Sequence, residues 1–303
     1  MSFTTLVSTA GLAAHLAAPW AAPSAGPGSG TNWVILDCQH DLMNPAFGRD
    51  SYAREHIPGA RFISLDDDLA EHPPATGPKP RGRHPLPTPE ALAQAFSRLG
   101  IDSTKQVVVY DSAAGSYAAR AWWCLRWLGH NAVAVLDGSL AKWRSEGRAL
   151  TADVAPWQPA AFVARPEDTM KVETGFILAG LGANPAPRVI DARAPERYSG
   201  STEPVDPAAG HIPGALNRFW KSNLAADGSF KDATTLRAEF VALLQGHNAA
   251  ETIHQCGSGV TACHNLLALE VAGLTGARLY PGSWSEWCAD PARPVATGAT
   301  PQA

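Results

Sequence analysis

Thr252-Ile253-His254-Gln255-Cys256-Gly257-Ser258-Gly259-Val260-Thr261-Ala262 carries a short apolar run into a cysteine, and the helix-like stretch Leu266-Leu267-Ala268-Leu269-Glu270 follows. A run, a turn and a helix in that order place Cys256 at a strand-to-helix turn. Gly257 and Gly259 let the backbone curl so that successive N–H groups converge on one point. The positive end of the following helix faces the same spot. Sulfur held there is expected to ionise readily and act as a nucleophile, because helix N-termini and donated hydrogen bonds favour thiolate. The competing reading is a buried structural cysteine, the usual fate of a free thiol. Glycines on both sides of Ser258 serve no packing purpose, which favours the nucleophile.

Outward from this turn the chain is written twice. Val34-Ile35-Leu36-Asp37 recurs as Val189-Ile190-Asp191, and His56-Ile57-Pro58-Gly59-Ala60 as His211-Ile212-Pro213-Gly214-Ala215. Asp137-Gly138-Ser139-Leu140-Ala141-Lys142-Trp143 answers Pro281-Gly282-Ser283-Trp284-Ser285-Glu286-Trp287. A repeat this long is a duplicated domain, not a solenoid unit. Short β-branched runs at Trp33–Asp37, Val107–Tyr110 and Val133–Leu136 read as buried parallel strands, with helices over Leu92–Leu99 and Ala118–Leu128 between them. The second half repeats the order with strands at Arg188–Asp191, Thr252–Gln255 and Arg278–Tyr280. The fold class is therefore α/β, two tandem domains, each a small parallel sheet flanked by helices. Reactive loops in such sheets lie at the C-terminal ends of strands, where Cys256 falls. Pro156, Pro159 and Pro166 mark a seam. The expected boundaries are 1–150 for a first domain, 151–168 for a linker and 169–303 for a second.

The residue answering Cys256 in the first half is Asp111, in Val109-Tyr110-Asp111-Ser112. Aspartate cannot do thiolate chemistry, so the first domain is expected to be inactive and the second catalytic. The first half also carries extra residues, mostly the Pro/Gly-rich stretch His72 to Pro89 with Lys79, Arg81, Arg83 and His84. That stretch reads equally as a tolerated surface insertion or as a loop of the inactive half closing over the active one. His56 and His211 precede Pro-Gly turns and are expected to hold the chain by hydrogen bonding, without a catalytic role. Cys263 and the Trp122-Trp123-Cys124-Leu125-Arg126-Trp127 stretch read as packing.

Composition narrows the function further. The 303 residues suffice for two domains of ordinary size. A net charge of -4 with 17% charged residues leaves no polybasic footprint for nucleic acid or an anionic membrane. Five cysteines, Cys38, Cys124, Cys256, Cys263 and Cys288, form no Cys-x-x-Cys pair. Neither a metal site nor a disulfide framework is expected, and a reducing, cytoplasmic setting is the simpler reading. No apolar run is long enough to span a bilayer. Leu12 to Ala18 lacks a basic leader and is broken by His15, so it reads as an amphipathic first helix.

Together these residues resemble the tandem rhodanese-domain sulfurtransferases, the family of rhodanese and 3-mercaptopyruvate sulfurtransferase. The resemblance spans nearly the whole chain: both His-Ile-Pro-Gly-Ala segments, Arg120-Ala121-Trp122-Trp123, the Cys256 loop and Gly282-Ser283-Trp284. It implies a cysteine cycling through a persulfide, no cofactor, and a first domain that has lost its cysteine. Thiosulfate-preferring members typically carry basic residues after the cysteine. Gly257 and Ser258 stand there instead, similar to the 3-mercaptopyruvate type, so that donor is expected, with thiosulfate as the alternative. By position, the resemblance carries a proton relay onto Ser258, His84 and Asp66, with Asp67 and Asp68 as competitors for the last. It carries a carboxylate-binding role onto Arg197, whose planar fork suits a carboxylate, and a pocket role onto Tyr117. Gly257, Gly259, Val260 and Thr261 count as substrate-binding positions of the loop. Family members carry a second arginine shortly after the first, but Ser201-Thr202-Glu203-Pro204-Val205-Asp206-Pro207 has none. The implied partners are a small-molecule sulfur donor and a thiol or cyanide acceptor, with a thioredoxin-like reductant as a candidate. A non-enzymatic sulfur carrier or binding protein is the remaining alternative. A cysteine phosphatase is disfavoured, since position 262 is Ala262 where an arginine would have to clamp the phosphoryl oxygens.

Overall fold

The computed structural model describes residues 2–17, 32–72, 80–183 and 186–299. Lys79 and Ala18 lie outside the described residues. The chain divides into two compact units, the first made of Met1–Leu69, Pro87–Glu167 and Ala225–Ser229, the second of Ala70–Leu86, Asp168–Leu224 and Phe230–Ala303. The basic, Pro-rich stretch of the first half thus belongs largely to the second unit.

The first unit runs β1 (Leu6–Val7), α1 (Thr9–Ala17), β2 (Trp33–Asp37), α2 (Phe47–Arg54), β3 (Ala60–Phe62), α3 (Pro89–Arg98), β4 (Gln106–Tyr110), α4 (Ala118–Trp127), β5 (Val133–Leu136) and α5 (Ser139–Ser145). Its five strands lie in the order β1-β5-β4-β2-β3, all parallel. Val107, Val108 and Val109 are all buried. Such a continuous apolar strand, without alternation, belongs to a sheet covered on both faces. Thr88 caps α3 by accepting the Ala91 N–H, and Pro89 sits where no intrahelical donor is needed. Trp122, Trp123 and Trp127 are buried on α4, as packing against the sheet requires.

Residues 152–167 form no helix or strand, yet they hold to the first unit. Ala160 N donates to Ser97 O at 2.9 Å, Arg165 N to Leu128 O at 2.9 Å and Glu167 N to Trp127 O at 2.8 Å. The prolines offer no N–H, Phe162 N adds a bond to Ser97 Oγ at 3.1 Å, and the expected linker is a strap on the first unit up to Glu167.

The second unit runs α6 (Thr174–Gly180), β6 (Arg188–Asp191), α7 (Pro195–Ser199), β7 (Leu216–Asn217), α8 (Ala233–Leu244), β8 (Thr252–Gln255), α9 (Ala262–Val271), β9 (Arg278–Leu279) and α10 (Ser283–Trp287). Its sheet, β7-β6-β8-β9, is again parallel. The two histidine turns are built alike. His56 Nδ1 meets Tyr52 O at 2.7 Å with the rings stacked at 4.1 Å, and His211 Nδ1 meets Tyr198 O at 2.8 Å with the rings at 3.9 Å. Each tyrosine hydroxyl donates to the carbonyl of the alanine closing its motif, Ala60 or Ala215. The motif therefore delivers the edge strands β3 and β7.

Candidate active site

β8 ends at Gln255, so Cys256 is the first residue of the loop beyond an interior strand. It is 2% exposed. The turn into α10 pins the loop: Cys256 N donates to Ser283 Oγ at 3.1 Å, Trp284 N to Cys256 O at 3.0 Å and Ser285 N to Gly257 O at 2.9 Å. Gly259 has φ +74, and a side-chain carbon there would lie 2.3 Å from Pro281 O, so only glycine fits. Val260 is buried, Thr261 is half-buried at the start of α9, and the Cys263 thiol donates to Gly259 O at 3.4 Å. His254, two residues before Cys256, has its imidazole pushed down to about 3 by burial and stays neutral at physiological pH.

The first unit shows what a loop of this plan holds. Asp111 follows β4 as Cys256 follows β8, and its carboxylate accepts four backbone N–H groups: Ala113 (2.8 Å) and Gly115 (2.9 Å) on one oxygen, Tyr117 (2.8 Å) and Ala118 (2.8 Å) on the other. The pinning contact recurs, with Leu140 N donating to Asp111 O at 2.9 Å, and Ser139 shares with Ser283 a positive φ, 62 and 54. Burial raises the Asp111 carboxyl while the four amides oppose it. With two donors on each oxygen there is no place for a proton, so the cradle is an anion receptor filled by its own aspartate.

Around the Cys256 loop the second unit gathers Ser258, His84 and two arginines. Ser258 Oγ lies 2.7 Å from His84 Nδ1, both residues being 7% exposed. Gly257 has no side chain, and a carbon placed there would lie 3.1 Å from Arg83 Nη2 and 3.5 Å from Arg197 Nη1. Arg197 binds Glu203 Oε1 at 2.6 Å and Asp206 Oδ2 at 2.9 Å, while Arg83 Nη1 binds Asp206 Oδ1 at 2.6 Å. Burial pushes the Glu203 carboxyl up, but the hydrogen bonds and charge of Arg197 prevail and hold it below its usual range. Arg193 backs the cluster, bound to Asp191 at 2.6 Å and lying over the Trp284 ring at 4.6 Å.

Asp66 and Tyr117 belong to the first unit. Asp66 lies 3.7 Å from His40 Nδ1, and the Tyr117 ring meets His40 edge-on at 5.0 Å, its phenol pushed up to about 12 by burial. The second unit thus brings together Cys256, Ser258, His84, Arg197 and the loop glycines, and Asp66 and Tyr117 are not in that unit. Sequence reasoning missed Arg83, Glu203 and Asp206. The signal was present in part: Arg83 is the immediate neighbour of His84, and the stretch lacking an arginine carried two acids.

A parallel α/β domain present twice, with a strand-end cysteine loop in the second copy and an aspartate in the first, defines the class of protein. The chain belongs to the rhodanese-like domain family, whose model matches residues 28–146 and 177–290, and it is a sulfurtransferase of that family. It is 46% identical over 266 residues to a probable 3-mercaptopyruvate sulfurtransferase of Pseudomonas aeruginosa, covering 88% of this chain and 92% of that one. A putative thiosulfate sulfurtransferase of Mycobacterium tuberculosis is 41% identical over 268 residues, covering 87% and 90%. The crystal structure of the Escherichia coli 3-mercaptopyruvate enzyme superposes with a TM-score of 0.74 at 31% identity, covering 93% of this chain and 99% of that one. No helix among the described residues is long and apolar enough to cross a membrane.

Proposed function

We propose that this protein moves the sulfur of 3-mercaptopyruvate to a thiol or cyanide through a persulfide on Cys256. The observation that carries the persulfide is the Asp111 cradle. A carboxylate oxygen stands two bonds from Cβ, as does the outer sulfur of a cysteine persulfide. Asp111 therefore occupies, in the first unit, the place such a sulfur takes in a loop of the same plan. Backbone donors there stabilise negative sulfur in both half-reactions.

The Cys256 thiolate attacks the donor sulfur, the donor's C–S bond breaks, and its electron pair passes to the methylene carbon as the enolate of pyruvate. That carbon takes up a proton, and pyruvate leaves. In the second half, a thiol or cyanide attacks the outer sulfur and the S–S electron pair returns to Cys256 as thiolate, a ping-pong cycle. Ser258 and His84, at 2.7 Å, form the relay that moves protons between donor thiol and enolate carbon. Asp66 is the third member carried by the family resemblance. Arg197 binds the donor carboxylate. All five cysteines are free, which supports a cytoplasmic setting with a thioredoxin-like dithiol as an acceptor.

Thiosulfate is the second reading, favoured by the two guanidinium groups beside Gly257 and by the name of the mycobacterial relative. Steady-state rates with both donors decide between them. The expected result is a higher kcat/KM with 3-mercaptopyruvate and none in Cys256→Ser, and a preference for thiosulfate would overturn the donor assignment.

A further inference from the structure

The stretch Ser201 to Pro207, which has no arginine, supplies Glu203 and Asp206, 3% and 2% exposed in their side chains. Asp206 joins two guanidinium groups, one oxygen on Arg83 and the other on Arg197. We propose that Arg83 is the second donor-binding arginine of this site, closing with Arg197 a two-guanidinium clamp on the donor's carboxylate beside Gly257. The proposal rests on the 3-mercaptopyruvate reading.

Three observations carry it. The ion pairs use Arg83 Nη1 and, on Arg197, Nε and Nη2, so the atoms nearest Gly257, Arg83 Nη2 and Arg197 Nη1, are ones these pairs do not occupy. Asp206 already shows that one carboxylate can bridge the two forks, which sets their spacing for a second. Finally, the backbone of this segment is held in place: Arg83 N donates to Ser285 Oγ at 3.0 Å, and Gly82, at φ +85, packs so tightly that a side-chain carbon would lie 2.7 Å from Gly282 O.

The arrangement also explains the uncharged loop. Gly257 and Ser258 carry no positive charge, and the absence of a side chain at Gly257 lets two arginines reach the donor from outside the loop. Arg83 and His84 then act as adjacent residues with separate tasks, one at Gly257 and the other on Ser258.

The test compares 3-mercaptopyruvate with mercaptoacetone, the same donor without its carboxylate, in wild type, Arg83→Gln, Arg83→Lys and Arg197→Gln. Arg83→Gln is expected to raise KM for 3-mercaptopyruvate by about 10- to 30-fold, with kcat changed far less and mercaptoacetone kinetics unchanged. Arg83→Lys should recover part of the loss, keeping the charge without the fork. An unchanged KM, or an equal loss with both donors, would overturn the clamp. Pyruvate binding to the Cys256→Ser protein, by titration calorimetry, separates this from the donor assignment. If 3-mercaptopyruvate is no donor, the clamp still requires Arg83→Gln to weaken pyruvate about 10-fold, and an unchanged Kd or no wild-type binding contradicts it.

Discussion

Asp37 ends β2 as Asp191 ends β6, yet the two buried carboxylates are satisfied differently. Asp191 is paired with Arg193 at 2.6 Å, whereas Asp37 accepts from Gln39 N (2.9 Å), Gln39 Nε2 (3.0 Å) and the Tyr110 hydroxyl (2.6 Å), with no arginine on it among the described residues. Burial raises Asp37 from 3.8 to about 6 against those hydrogen bonds. The folded state then holds the proton more tightly than the unfolded one, so stability falls as pH rises through that interval and is level above it. The limit is on the order of 3 kcal/mol. Asp37→Asn should abolish this slope. His254, held neutral, titrates with the opposite sign, its contribution being lost as pH falls below its unfolded value. The quantity to measure is therefore the wild-type minus variant difference in urea unfolding between about pH 4 and about pH 7; a flat difference would contradict the account. At Ser258, the bond to His84 makes the pair act as a unit. Ser258→Ala and His84→Ala should each lower kcat by about 100-fold with little change in KM, and the double variant should lose barely more. Strictly multiplicative losses would show that they act separately.

Among the elements, the loop after β4 offers the sharpest test of the cradle. Asp111→Asn replaces one accepting oxygen by an NH2 group and leaves one buried and one partly buried amide without an acceptor, which should cost about 2–4 kcal/mol in denaturant unfolding. A loss within experimental error would mean that the amides do not depend on the charge. The long strands were legible because β2, β4, β5, β6 and β8 are bounded, β-branched runs. The strands β1, β3 and β7 have two or three residues and carry no period; pairing with neighbours creates them. Cys256 and Ser258 were legible as site candidates because a strand, two glycines and a helix lie side by side in sequence. The Arg83–Asp206 pair was not, since partners 123 positions apart leave no local pattern.

For the whole molecule, the duplication was written in the sequence, but the division of the chain between the two units was not. Residues Ala70–Leu86 come from the first half and belong to the second unit, carrying Arg83 and His84, while Ala225–Ser229 go the other way. Such exchanges depend on packing between distant segments, which composition and periodicity do not register. Replacing residues 80–86 by glycine and serine in the full chain should therefore lower kcat/KM by at least about 100-fold while Cys256 remains in place, and near wild-type turnover would contradict that dependence. The central claim is that Cys256 carries the sulfur between donor and acceptor. Mass spectrometry of the protein after 3-mercaptopyruvate treatment, without acceptor, should find one added sulfur atom located on Cys256 and removed by cyanide. No adduct, or an adduct on Cys38, Cys124, Cys263 or Cys288 that persists in Cys256→Ser, would contradict it.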